Sequence, residues 1–426
     1  DHIKPVDEGS KRRRYFRLTF DKSEKIFQCK SRGKTLVVDA TDFPPEGHQS
    51  LAQILIQAHR KGWRKFIVYR ITGQRYLGAG FGPNTQDLEI HLYGSPGQDI
   101  ANSLMGGTVH VHADAQNDMG KILHSGTVVV HGLAGNTGIY GAKGGEVFVR
   151  DSVGTRWIIN SVSSPVGPGL KVTIVGSAME YLAESLMGGL VLMLGLEWDE
   201  HGILRRKYLP FAGNSVLAGA SAGKVIIYDP DNRIEDSQYA NAVDIGFLSR
   251  DWLSVSQKLT SLVKSRFEQA TWINHMQRWR PLAELVLRNG MNARQNQDTL
   301  NELFELMQAL PERSGDFKRL QQDSVRLKSL IEEKLTGKAW RTLVRQLSQT
   351  LPNDTWQEGI EVLERLMDWQ DVTDLLKKAD QHFALGLKIE NDELYLPIDG
   401  EKTEIRREDF RVLRPRKPHE NTEEAK

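Results

Sequence analysis

At 426 residues the chain is long enough for two or three domains with cores of their own. Lys and Arg number 56 against 55 Asp and Glu, and a net charge of +1 argues against whole-protein attraction to nucleic acid or an anionic membrane. One cysteine, Cys29, rules out an internal disulfide and an iron–sulfur cluster ligated by this chain alone, and is compatible with a reducing cytoplasm. In chain order, a start at Asp1 rather than Met is compatible with a processed segment ahead of it. The basic run Lys11 to Arg14 is not followed by an apolar signal core, and no apolar run reaches the about 18 residues of a membrane span. Tyr15 to Phe20 and Lys25 to Cys29 read as a hairpin around Asp21 to Glu24, and Thr35 to Val38 as a strand. Leu51, Ile54, Leu55 and Ala58 recur at helical spacing, and Phe66 to Tyr69 follow as a buried strand.

Glycine then becomes dense, from about Gly73 to Gly223, and is sparse after Gly290. Within the dense region Gly107, Gly126 and Gly145 each open a β-like segment, and the two steps between them are identical in length. Further copies run from Lys171 to Val175, after Gly189 and after Gly223, giving six rungs, or seven with Leu88 to Leu92. A fixed period of β segments is the signature of a solenoid, in which each rung buries its face only against its neighbours. Period-two alternation sends Val109, Val128, Val147, Val172, Val191 and Val225 inward, and likewise Val111, Val130, Val149, Ile174, Met193 and Ile227. All are apolar, as a continuous core requires. The glycines Gly107, Gly126, Gly145, Gly189 and Gly223 are expected to serve as structural turns.

The third residue of each rung points outward, yet reads His110, Val129, Phe148, Thr173, Leu192 and Ile226. Such a face needs cover, either from the same chain or from a partner; Val129, Phe148, Leu192 and Ile226 are the candidate interface. The fifth residues, His112, His131 and Arg150, form a polar column expected to be exposed. Beyond Tyr228 the periodicity becomes helical. Leu253 to Phe267, Leu282 to Val286, Leu300 to Leu310, Leu320 to Leu335, Trp340 to Leu347 and Trp356 to Met367 predict amphipathic helices. Ala384 to Ile389 and Glu393 to Pro397 predict a hairpin around Asn391 and Asp392, and Arg414 to Lys426 a charged, disordered tail.

Gly73, Gln74, Arg75, Tyr76, Leu77, Gly78, Ala79, Gly80, then Met105, Gly106, Gly107, then His131, Gly132, Leu133, Ala134, Gly135, Asn136, Thr137, Gly138 form an ordered set. With Val175 to Ala178 and Leu186 to Leu196, this set resembles the GXGXG glycine-repeat family. That family includes the carboxyl-terminal domain of the glutamate synthase large subunit and the C subunit of formylmethanofuran dehydrogenase. The similarity spans roughly Val37 to Trp279. It implies a right-handed parallel β-helix that supports catalytic parts residing elsewhere: flavin, iron–sulfur or molybdenum/tungsten pterin centres in partner subunits, with no cofactor held by this chain. Two stretches depart from the family pattern, Gly154 to Asn160 and the proline-containing Ser163 to Gly169, both expected to interrupt the coil. The helical part from Leu300 onward has no counterpart in the family.

Sharper chemical readings compete with plain ones. His110, His112 and His131 could share a face and bind zinc, but on alignment the neighbours of His110 and His131 are Val129 and Arg150, which favours an exposed ladder. Gly78, Gly80 and Gly82 approximate a dinucleotide fingerprint without the following helix, which favours turn glycines. Lys11 to Arg14 lack an aromatic platform for nucleic acid and read as a solvated terminus. Trp272, Trp279, Trp340, Trp356 and Trp369 sit at helical core positions, with one or two as candidate interface anchors. Asp114, Asp118, Glu180 and Glu184 could form an acid–base or calcium site but fall on turns.

The resulting expectation is a mainly β protein: an α/β lead-in (1–70), a right-handed parallel β-helix with glycine-rich turns (71–235), a helix packing on it (236–290), and an α-helical extension with hairpin and tail (291–426). It is read as a non-catalytic assembly subunit of a cytoplasmic enzyme complex, with a homo-oligomer within that complex, and neither nucleic acid nor membrane, as further expectations. The alternative is a β-helix enzyme acting on carbohydrate, or transferring an amide or formyl group, at an outer-face groove. A third reading is an oligomeric scaffold without an enzyme partner.

Overall fold

The computed structural model describes residues 15–247 and 354–416, apart from Lys30, Arg32, 163–168 and Asp392. The helices expected between Leu253 and Leu347, with Trp272, Trp279 and Trp340, lie outside these residues, as do Lys11 to Arg14 and 417–426. The chain divides into two compact units, Asp1–Phe247 with Leu375–Lys426, and Leu248–Asp374. The first holds a parallel β-solenoid. Among the described residues of the second is the greater part of a helix that runs on into the first.

The strands of the first unit are β1 (Tyr15–Leu18), β2 (Thr35–Asp39), β3 (Lys65–Thr72), β4 (Glu89–Ser95), β5 (Met105–Val111), β6 (Ser125–Val130), β7 (Gly145–Val149), β8 (Leu170–Ile174) and β9 (Met187–Met193). They are followed by β10 (Leu196–Trp198), β11 (Leu204–Arg206), β12 (Ala222–Tyr228) and β13 (Ala242–Phe247), while α1 (Leu51–Arg60) lies between β2 and β3. After α2 (Asp354–Phe383) come β14 (Lys388–Glu390), β15 (Glu393–Ile398), β16 (Glu401–Ile405) and β17 (Phe410–Pro415). One twelve-stranded sheet takes the order β1-β2-β3-β4-β5-β6-β7-β8-β9-β12-β17-β13. Its strands are parallel from β1 to β12 and antiparallel where β17 enters.

The observed register is the one that the equal spacing of Gly107, Gly126 and Gly145 requires. Val109 faces Val128, Val128 faces Val147, and the column continues through Val172 and Val191 to Val225. It also extends backward through Ile90, Phe66 and Leu36, so the lead-in strands are rungs of the same sheet. These side chains belong to one buried cluster running from Leu18 to Leu413, to which α1 adds Leu51, Ile54, Leu55 and Ala58. Stacking branched side chains level over level removes both neighbours' apolar faces from water at once.

Away from the sheet, each coil closes through an arc of unusual backbone. Seven successive coils place positive φ at three alternate residues: Tyr76, Gly78 and Gly80 in the first, then Asp99, Ala101 and Ser103, Asp118, Gly120 and Ile122, Thr137, Ile139 and Gly141, Arg156, Ile158 and Asn160, Tyr181, Ala183 and Ser185, and Ser215, Leu217 and Gly219. For residues other than glycine this conformation costs about 1 kcal/mol each. What offsets it is a ladder of hydrogen bonds between coils: the amide of Ile139 donates to the Met119 carbonyl, that of Ile158 to Gly138, and that of Ala183 to Trp157, at 2.8–2.9 Å. Trp157, fully buried, lies over Gly138, where a Cβ would come 2.5 Å from the indole, and its Nε1 donates to the Gly135 carbonyl at 2.6 Å.

Four expectations are corrected. Tyr15 to Cys29 is no hairpin: β1 pairs in parallel with β2, and Phe20–Phe27 is a 3-10 helix that buries Ile26. The Thr19 hydroxyl donates to the Asp21 carboxylate, and this local bond favours the helical turn over a strand pair. Gly154 to Asn160 does not interrupt the coil, because Val153 bridges Ala134 and Ala178 and the positive-φ triplet persists. Of the helix expected from 236 onward, Asp236–Tyr239 is 3-10 and Ala242–Phe247 is strand β13. Arg414 and Pro415 are not tail but the end of β17, which is inserted between β12 and β13; its Arg411 guanidinium donates to the Ile234 carbonyl at 3.0 Å and faces Asp244. The hairpin β14–β15 is present, and β16 adds a third strand.

Candidate functional site

The chemically richest place in the first unit is the outward face of β4, β5 and β6. Because β4 aligns with β5, His91 stands beside His110 on the next rung. His112 and His131 lie just past the ends of β5 and β6, one rung apart. The rings follow the strand spacing of about 4.8 Å: His91 over His110 at 4.6 Å between centroids, Tyr93 over His112 at 4.2 Å, and His112 over His131 at 4.5 Å, all nearly parallel. Two stacked columns thus run side by side.

A hydrogen bond joins the columns. Nδ1 of His91 lies 2.9 Å from Nε2 of His112, and Nε2 of His91 lies 3.0 Å from Glu89 Oε1. An ionised carboxylate only accepts, so His91 donates from Nε2 and accepts at Nδ1 from the Nε2–H of His112. Lys65 completes the row by pairing with Glu89 at 2.8 Å. The bonds from His91 and Lys65 hold the Glu89 carboxyl below its usual range.

The last turns of α2 close over this face. His382 packs on Phe148 at 4.8 Å and on His110 at 5.9 Å, Phe383 meets His131 edge-on at 5.5 Å, and Lys378 pairs with Glu146. Val129, Phe148, Leu192 and Ile226, the candidate interface, are all at zero exposure, so the chain covers this face itself. The column expected to be exposed is half-buried. Nε2 of His131 is buried with no hydrogen-bond partner among the described residues.

Burial disfavours charge on these rings, and the repulsion of neighbouring imidazoles adds to it. His110 is pushed down to about 3, by burial first and then by His91, while His112 and His131 fall to about 4. His382 is lowered as well, chiefly by burial. Between pH 6.5 and 4 the unfolded chain therefore takes up protons that the folded chain refuses, and stability, fully present above pH 6.5, is lost as pH falls through that window. The rings are only partly buried and solvent screens part of the penalty, so we expect about 2 kcal/mol lost per pH unit in the presence of a chelator. Urea unfolding at several pH values measures the slope; a flat profile from pH 6.5 to 4 would contradict it.

Other sequence candidates are placed as follows. Gly107, Gly126, Gly145, Gly189 and Gly223 all have positive φ, but sit within the first residues of β5, β6, β7, β9 and β12 rather than between strands. Gly78, Gly80 and Gly82 also have positive φ and lead into no helix. The Asp114 carboxylate accepts from the Leu133 amide at 2.8 Å, that of Asp118 from the Thr137 hydroxyl at 2.9 Å, and Glu184 pairs with Arg156. These acids tie neighbouring coils together. No helix among the described residues is long and apolar enough to cross a membrane.

His91 was within reach of the sequence, since it lies one repeat length before His110, as Tyr93 does before His112. Counting Leu88 to Leu92 as a full rung exposes His91. His382 carried no such signal, because only the packing of the last turns of α2, residues 375–383, brings it near. Compared with known proteins, the chain matches the family model of the GXGXG motif over residues 35–282, more than half its length. Neither the curated proteins nor the solved structures returned a match.

Proposed function

Since the chain belongs to the GXGXG motif family, we propose that it is a non-catalytic assembly subunit of a cytoplasmic complex resembling glutamate synthase or formylmethanofuran dehydrogenase. Flavin, iron–sulfur or molybdenum/tungsten pterin centres would belong to its partners. The observation that carries this reading is the composition of the positive-φ arc. Tyr76, Ile122, Leu133, Tyr140, Met179 and Tyr181 are exposed there or beside it, and Arg75, Lys121 and Arg156 lie over the three tyrosine rings at 5.1, 5.8 and 5.4 Å. Tyrosine, methionine and arginine on a rigid support are what protein interfaces enrich.

The reading is tested by isolating the native assembly and the chain alone. Expected are a stoichiometric, cofactor-bearing partner, lost or weakened at least about tenfold by Tyr140→Ala with Tyr181→Ala, and no turnover by the chain alone. A cofactor and turnover in the isolated chain would establish the enzyme reading instead.

A further inference from the structure

We propose that His91, His110 and His112 form a binding site for a divalent first-row transition ion of the zinc class, on the outward face of the solenoid. Ligand nitrogens of these three residues lie within 4.8 Å of one another. Two come from a His-x-His pair near the end of one strand, which puts both rings on the same face, and the third from the adjacent rung. Three imidazoles leave a further coordination position open, the arrangement of zinc sites that keep a water or take a substrate ligand. An all-nitrogen set favours zinc, cobalt, nickel or copper over magnesium and calcium, which take oxygen.

The surrounding groups suit such a site. Glu89 binds the Nε2–H of His91, which fixes that ring and leaves Nδ1 facing inward, as an outer carboxylate does for a metal-bound histidine. Across from it, Nε2 of His112 shares a proton with that Nδ1 at 2.9 Å. Two nitrogens on one ion stand about 3.0–3.4 Å apart, so an ion entering here takes His112 as the tautomer protonated at Nδ1, the shared proton moving from Nε2 to Nδ1 by exchange with solvent, parts the two nitrogens by a few tenths of an ångström, and swings the rings until their lone pairs converge. His131, with its unpartnered buried Nε2 and its ring 4.5 Å from that of His112, stands next to the site. At corresponding outward positions the later rungs carry Phe148, Leu192 and Ile226, so packing alone requires no imidazole here.

The test uses the full chain without a histidine tag, stripped with chelator and titrated with Co²⁺ at neutral pH. Expected are one equivalent bound, visible ligand-field absorption of a nitrogen-ligated ion, displacement by Zn²⁺, and no response to Mg²⁺. His91→Gln and His110→Gln should each weaken binding about 100-fold, whereas His124→Gln should not change it. Where a variant does not fold, the wild type still decides: Zn²⁺ should raise its thermal midpoint by several degrees and Mg²⁺ should not. Absence of stoichiometric binding by the wild type, or binding unchanged in both ligand variants, overturns the proposal.

Discussion

Val128→Lys is expected to cost about 5 kcal/mol of folding stability, whereas Thr127→Lys, one residue earlier on the same strand, costs under about 1 kcal/mol. Val128 is at zero exposure between Val109 and Val147, inside the continuous core, where an ammonium would find no partner. Thr127 faces the other way, is only partly buried, and has Glu146 as its neighbour on the next rung. A solenoid cannot relax around the defect at low cost, because each rung contacts only the rungs above and below and both lose their packing. Urea midpoints of the two variants read the difference directly. Equal midpoints would mean that the strand's alternation does not set its inner face.

Gly126→Val is the second large effect, expected at about 3 kcal/mol. Gly126 has φ +93, and a Cβ there would stand 2.7 Å from the carbonyl oxygen of Gly107 on the rung below. The same relation recurs between Gly145 and Gly126 at 2.9 Å. The clash is with backbone, so it cannot be relieved without spreading two rungs. Gly202→Val supplies the contrast: its φ is +76, but no atom lies within 4 Å of its Cβ position. It should cost about 1 kcal/mol, the conformational part alone. Similar losses in both variants, measured by thermal unfolding, would show that close approach between coils is not what demands glycine at position 126.

The sheet was legible because period and alternation act together. Val109, Val128 and Val147 recur at one constant interval and point inward, and the structure puts them on adjacent levels. The first three strands read as strands but not as rungs, since the steps from Leu36 to Phe66 and from Phe66 to Ile90 do not share that interval. The arc was not legible. Glycine announces positive φ at Gly78 and Gly80, but the later coils adopt the same backbone with Ile139, Ile158 and Leu217, which no local propensity would assign there. Hydrogen bonds between coils impose that conformation, and a single coil's sequence does not contain them. The same holds for the site. Its histidines on and beside β5 and β6 stand out in the repeat, whereas Phe383 and His382 reach it from the far end of the chain, beyond the whole solenoid.

The insertion of β17 between β12 and β13 bears on how the protein is made. Until Phe410 to Pro415 leave the ribosome, the strand Ala222–Tyr228 has no neighbour on one side, and it carries Val225, Ile226 and Ile227. An unpaired apolar edge of this kind recruits strands from other nascent chains. While Asp229 to Asp409 are being synthesised this strand lacks its native partner on one side, and truncation ahead of Phe410 would remove that partner for good.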